Sequence, residues 1–204
     1  MTGVQTCALP IFANKTGLAQ TAEVDTYEGG LKVSTRMVNL YATVFHNKFD
    51  GLATTTLINN VPVSSNGGAK ATGVELEGAI RPFDGFSLTA AGTYLDATYR
   101  GFFTGNGTID NTGNRVQRQP KWMWRVTPAY ELPVGSVRPS LFATLQYTGD
   151  RFSDPENLQT LPSFYQLDAG VSVDISERLR LQVTGNNLTD EIGLTEGNPR
   201  IIGG

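Results

Sequence analysis

Few side chains here stand at spacings that chemistry requires. Glu75 and Glu77 lie two apart in Gly73-Val74-Glu75-Leu76-Glu77. On a strand, such residues share a face at about 6.6 Å, within reach of the carboxylate separation of an inverting glycosidase. That reaction also needs a sugar cleft and a carboxyl kept protonated, and nothing around the pair supplies either. A polar strand face accounts for it more simply. His46 is the sole histidine, and the sequence around it offers no carboxylate or thiolate at metal-ligand spacing; it reads as a rim residue. Asp110-Asn111-Thr112-Gly113-Asn114 carries oxygen donors like part of a calcium loop. It lacks the spacing and closing Glu of an EF-hand, so it reads as a polar loop. Gly105–Gly107 precedes no helical pattern, which removes a phosphate cradle. One histidine and no elbow motif leave no Ser/His/Asp set. The expectation is no catalytic residue, no metal site, no cofactor and no enzymatic activity.

The elements that position these residues are strands. From Tyr165 onward, Leu167, Ala169, Val171, Val173 and Ile175 alternate with Gln166, Asp168, Gly170, Ser172 and Asp174. After Ser176–Arg178, Leu179, Leu181 and Val183 alternate with Arg180, Gln182 and Thr184. A period of two puts the apolar set on one face and the polar set on the other, the pattern of a half-buried hairpin. The same alternation recurs in Val24–Val33, Met37–Phe49, Thr72–Ile80, Phe86–Tyr99, Lys121–Glu131 and Val137–Gly149. Pro128 interrupts one of these runs and predicts a bulge or local break. The fold class is all-β: an antiparallel up-and-down meander of about eight strands.

Composition bounds the setting. The chain has 204 residues, 23 Gly and 10 Pro, with a formal net charge of −3. That balance points to no nucleic-acid partner. Cys7 is the only cysteine, which excludes disulfides and thiolate metal sites. No apolar run reaches the roughly 18 residues of a spanning helix. A barrel strand, however, turns only alternate residues to lipid and keeps its mean hydropathy low.

The connections sort by length. Those at 34–36, 82–85, 133–136 and 176–178 are tight; those at 50–70, 100–119 and 150–162 read as long polar loops, the first with room for a small hairpin of its own. Outer-membrane barrels have short periplasmic turns and long extracellular loops. Ten residues at about 3.3 Å, tilted about 45°, climb roughly 23 Å, close to the apolar band of about 25 Å in such barrels. Tyr94, Tyr99, Trp122, Trp124, Tyr130, Tyr147 and Tyr165 lie near strand ends, where interfacial girdles form.

Three motifs carry a resemblance. Thr26-Tyr27-Glu28-Gly29-Gly30-Leu31-Lys32, Gly73-Val74-Glu75-Leu76-Glu77 and Gly185-Asn186-Asn187-Leu188-Thr189-Asp190-Glu191 occur in this order. They resemble strands of the C-terminal barrel of TonB-dependent outer-membrane receptors, over roughly residues 21–198. The resemblance implies a 22-stranded barrel plugged by an N-terminal domain, importing iron-siderophore chelates, cobalamin or glycans with energy passed on by the TonB protein. It implies as partners outer-membrane lipid, the plug, TonB and a small-molecule ligand. Residues 21–204 are then part of such a barrel, ending before its last strand, and are expected to form an open curved sheet that does not transport alone. Residues 1–11, MTGVQTCALPI, look like a translated sequencing adaptor, so 1–20 is expected to be an artefactual or disordered tail. A porin or small eight-stranded barrel, and a soluble β-sheet binding module, remain as alternatives. In the preferred reading Lys32, Glu75, Glu77, Arg125, Gln166, Asp168, Asp174, Arg180 and Gln182 face the lumen. An arginine at Leu145, on the opposite face, then costs about 2–4 kcal/mol if that site is near the midplane, and one at Thr144 costs little.

Overall fold

The computed structural model describes residues 22–58, 61–132, 137–176 and 178–195, with side chains omitted at 53–58, 61–66 and Asn106. The expected tail 1–20, the turn at 133–136 and the chain end from 196 lie outside the described residues. The strands are β1 (Glu23–Ser34), β2 (Val38–Ile58), β3 (Val61–Ile80), β4 (Phe86–Arg100), β5 (Phe103–Thr104) and β6 (Ile109–Asp110). They continue as β7 (Trp122–Glu131), β8 (Arg138–Thr148), β9 (Arg151–Phe152), β10 (Thr160–Leu161), β11 (Phe164–Ser176) and β12 (Leu179–Gly185). One eight-stranded sheet runs β1-β2-β3-β4-β7-β8-β11-β12, and β5-β6 and β9-β10 are small hairpins in the connections. Every long strand pairs antiparallel with its neighbour in the chain order. This is the meander that the alternation predicts, and among the described residues it is not closed: β1 and β12 each have one neighbour there.

Among the described residues the sheet has no second layer. Leu31, Leu76, Leu181 and Val183 are 62%, 50%, 56% and 62% exposed, although they stand in the middle of regular strands. The buried apolar side chains among the described residues are Ala69, Tyr99, Phe102 and Leu161, all at the long-connection end. A water-soluble sheet buries one face against something. Here the aliphatic face is continuous and bare, which suits hydrocarbon and argues against the soluble module.

Two sequence expectations change in detail. The stretch 50–70, read as a long loop with a small hairpin of its own, is a ribbon continuous with the wall strands: β2 and β3 pair out to Ile58 and Val61, with one register shift between Phe49 and Leu52. Gly51, at φ 73°, stands at that irregularity. The run Thr54-Thr55-Thr56-Leu57-Ile58 is rich in β-branched, strand-forming residues, a preference outweighed in the sequence reading by its polarity. At Pro128 there is a local break and no bulge. The β7–β8 ladder lacks pairs at Thr127 and Pro128, yet runs from Val126↔Leu145 to Ala129↔Phe142 in unchanged register. The Thr127 and Thr144 hydroxyls, 2.9 Å apart, hold the strands together across the gap.

Two glycines on the polar face are covered by rings from the next strand. Phe45 lies over Gly73 and Phe142 over Gly170, each pair directly opposite in register. A Cβ at Gly73 would meet the ring of Phe45 and stand 2.6 Å from the Tyr94 carbonyl oxygen. Gly73→Ala is therefore expected to destabilise the sheet by about 1–3 kcal/mol through overpacking. Gly78→Ala, whose Cβ would find its nearest neighbour at 3.6 Å, should be near neutral. Denaturant midpoints of the two variants in detergent check this, and equal midpoints would show that the ring–glycine contact is dispensable.

Candidate functional site: a polar wall and its loop cap

Register places the predicted lumen residues on one face. Lys32, Tyr41, Glu77, Ala91, Arg125, Gln146 and Gln166 stand directly opposite one another in sequence across seven strands. The Lys32 ammonium lies 5.0 Å from the centre of the Tyr41 ring. Ala91 leaves a gap between Glu77 and Arg125, and the surface there is a shallow depression of about 250 Å³. Glu75 stands two residues from Glu77 on the same face. At the other end of the sheet the Gln166 and Gln146 amides donate to Asp168 at 3.0 and 3.3 Å, and the Asn187 backbone N–H donates at 2.7 Å. Asp174 pairs with Arg180, whose NH2 donates at 2.9 Å, and Gln182 stands opposite Ser172. All nine share the face; Glu75 and Glu77 do not meet Arg125 or each other as a catalytic pair. Among the described residues no three His, Cys, Asp or Glu side chains form a metal-holding group.

The opposite face carries a belt of rings. Tyr94 and Trp122 have centroids 4.7 Å apart, Trp124 and Tyr147 5.6 Å, and Tyr147 and Tyr165 4.7 Å. Amphipathic rings joined in this way at strand ends mark a membrane–water boundary. His46 stands one outward step beyond Val44, Val74 and Tyr94, its Nδ1 2.8 Å from the Thr72 hydroxyl. The sequence reading put His46 near the outer end of its strand; β2 instead runs on to Ile58, well past it.

Beyond the belt, two long connections fold into one cap. Asn157, at φ 59°, accepts the Arg115 backbone N–H at 2.8 Å and donates to the Arg115 carbonyl at 2.9 Å. The Arg115 guanidinium donates to the Asp150 carboxylate and carbonyl, each at 2.8 Å. Asn114 donates to the Pro155 carbonyl at 3.0 Å, and the Arg118 N–H to the Phe152 carbonyl at 2.6 Å. Asn111, fully enclosed, donates to the Thr104 hydroxyl at 3.0 Å, and that hydroxyl donates to Glu156. Asp154 turns its own segment, accepting the Leu158 and Gln159 N–H groups at 2.9 and 2.7 Å. Buried Arg151 ties the segment after β12 to the cap by donating to the Leu194 carbonyl at 2.5 Å. The calcium-like run is thus consumed in loop structure. Asn111 and Asn114 are spent on protein partners, and Asp110 is held below the usual carboxylate range by accepting from the Thr112 side chain and backbone N–H.

Sequence reading passed over Arg115, Asp150, Arg151 and Asn157. A signal existed for the last: in Asp154-Pro155-Glu156-Asn157, Pro opens a turn and Asn tolerates the left-handed backbone that ends it. The ion pair between connections 35 residues apart leaves no local trace.

Under the cap, on the polar face, lies a concavity of about 620 Å³. Phe45, Leu95 and Met123 line it together with Val116 and Gln119 of the cap.

Comparison with known proteins agrees with this architecture. Residues 14–188 match the family model described as TonB dependent receptor-like, beta-barrel. The ferrioxamine B receptor of Salmonella typhimurium (strain SL1344) is 30% identical over 135 residues, covering 64% of this chain and 18% of the relative. The pesticin receptor of Yersinia pestis is 28% identical over 174 residues, 84% of this chain and 25% of the relative. The solved ferric yersiniabactin uptake receptor FyuA from Yersinia pestis superposes with a TM-score of 0.73 at 23% identity, over 87% of this chain and 26% of that one. The siderophore receptor PiuA from Acinetobacter baumannii gives 0.70 at 26%, over 91% and 27%. The chain therefore spans about a quarter or less of the relatives it matches. It belongs to the TonB-dependent receptor family and forms part of the outer-membrane β-barrel of such a receptor.

Proposed function

We propose that this chain is a wall and mouth segment of a receptor that imports a ferric siderophore across the outer membrane. In this reading the polar face, with Lys32, Glu75, Glu77, Arg125, Gln166, Asp168, Asp174, Arg180 and Gln182, lines the lumen beside a plug domain. The locked connections form part of the extracellular mouth, and the TonB protein supplies energy to the assembled receptor. The role is transport and not catalysis. The observation that carries the reading is the two-sided sheet, bare aliphatic on one face and polar from edge to edge on the other. Relatives support the cargo class: one is named a ferrioxamine B receptor, one solved neighbour is titled a ferric yersiniabactin uptake receptor and another a siderophore receptor.

Disrupting the gene in its host tests the proposal. Growth under iron limitation on at least one added ferric siderophore should be lost, and the intact gene on a plasmid should restore it. Unchanged growth on every siderophore the host uses would reject it.

A further inference from the structure

Arg151 is a buried cation outside the polar wall, and among the described residues no carboxylate pairs with it. Its guanidinium donates to the Leu194 carbonyl at 2.5 Å and to the Gly149 carbonyl at 3.4 Å, and lies 5.6 Å from the centre of the Phe164 ring. A charge taken out of water is costly unless acceptors face it. The nearer acceptor comes from the segment after β12, so withdrawing that segment strands a buried charge in the cap.

The segment is held at two ends and by little between. The β11–β12 ladder ends at Ala169↔Gly185. Just beyond it the Asn187 N–H donates to the Asp168 carboxylate and the Leu188 N–H to the Leu167 carbonyl, each at 2.7 Å. At the far end Gly193 lies so close to Phe164 that an added Cβ would stand 2.7 Å from the ring. Leu188, Ile192 and Leu194 are exposed, so apolar burial does not hold the segment down. Asp168 and Phe164 are four residues apart on β11, about 13 Å. Six residues of extended chain, from Asn187 to Gly193, reach about 20 Å. The slack is taken up in a turn through Asn187 and Asp190, left-handed at φ 49° and 51°. There the Asn187 amide both donates to and accepts from the Glu191 backbone at 3.1 Å.

We infer that residues 187–194 are a strap that fastens the β9–β10 hairpin of the cap to the wall, with Asp168 as its anchor and Arg151 as its buckle. Arg151 is a positioning residue that acts on the mouth by holding the strap. Two ties in series make one restraint, so losing either end frees the cap as fully as losing both. The inference stands apart from the cargo and does not depend on siderophore import.

The test follows amide hydrogen exchange of the intact receptor carrying this segment, in detergent micelles. Gly193→Ala wedges the strap off Phe164, and Asp168→Ala removes the anchoring acceptor; neither touches a bond within the cap. Each should speed exchange about tenfold at Arg118 and Ser153, whose N–H groups donate to the Phe152 and Gln159 carbonyls. Arg151→Lys keeps the cation but not the fork, and should match them. The Gly193→Ala, Asp168→Ala double variant should stay within twofold of the faster single variant. Amides in the middle of β3 and β4 should keep their protection throughout, which also shows that the variants are folded. Losses that multiply to about a hundredfold in the double variant would mean two independent supports and overturn the strap. Exchange within twofold of wild type in any of the three single variants overturns it too, as does a loss of protection shared by β3 and β4.

Discussion

Val171→Arg should destabilise the sheet in a bilayer folding assay by about 2–4 kcal/mol, whereas Ser172→Arg should change it little. Val171 is flanked on its own face by Leu141 of β8 and Val183 of β12. It lies six residues along β11 from Tyr165 in the ring belt. At about 3.3 Å per residue and a tilt of about 45°, that is about 14 Å into the apolar band, close to its middle. A guanidinium there has no water and no acceptor. Ser172 faces the other way, between Ser140 and Gln182, where a cation remains hydrated. Leu145 is a weaker choice than its hydropathy suggests. It stands two residues from Tyr147, only about 5 Å inside the belt, and an arginine there can reach the interface by snorkelling. Equal losses at Val171 and Ser172 would mean that the two faces are exchanged.

Asn157→Ala should release the cap. Alanine removes both bonds to the Arg115 backbone, worth about 1 kcal/mol each. It also occupies a left-handed backbone at φ 59°, at a cost of about 1–2 kcal/mol. Together these amount to about 3 kcal/mol of local stability, or roughly a hundredfold loss of amide-exchange protection. The loss should appear at Arg115 and Arg118, whose N–H groups bond across the two connections. Amides in the middle of β7 and β8 should keep their protection, because the wall does not depend on the cap. Asn186→Ala, in the exposed stretch after β12, serves as the control. Exchange at Arg115 within twofold of wild type would show that the ion pair with Asp150 holds the connections unaided.

The wall was legible in the sequence and the cap was not. A strand facing hydrocarbon on one side and water on the other must alternate, so Leu167 to Ile175 announce their own geometry and that of the neighbours they pair with. Strand order followed too, because short turns force consecutive strands together. Two things override local pattern. Thr54, Thr55 and Thr56 are polar in composition but strand-forming in shape, and ladder pairing with Ser64, Ser65 and Val63 decides between these. The cap is assembled from side chains that meet only after the wall has brought their connections to one end, as Arg115 and Asp150 do. Orphaned acceptors are invisible for the same reason. Asn47 reads as an ordinary polar alternate until the structure shows its oxygen enclosed without a donor.

The single-neighbour strand β1 sets how this polypeptide must be handled. All twelve of its residues are exposed, and among the described residues one side of its backbone has no ladder partner beside Tyr27, Leu31 and Val33. Diluting denaturant into plain buffer invites one copy to zip onto another before any amphiphile arrives. Micelles should therefore be present before the urea leaves, and a lysine placed at Leu31 should slow precipitation more than one placed at Gly78.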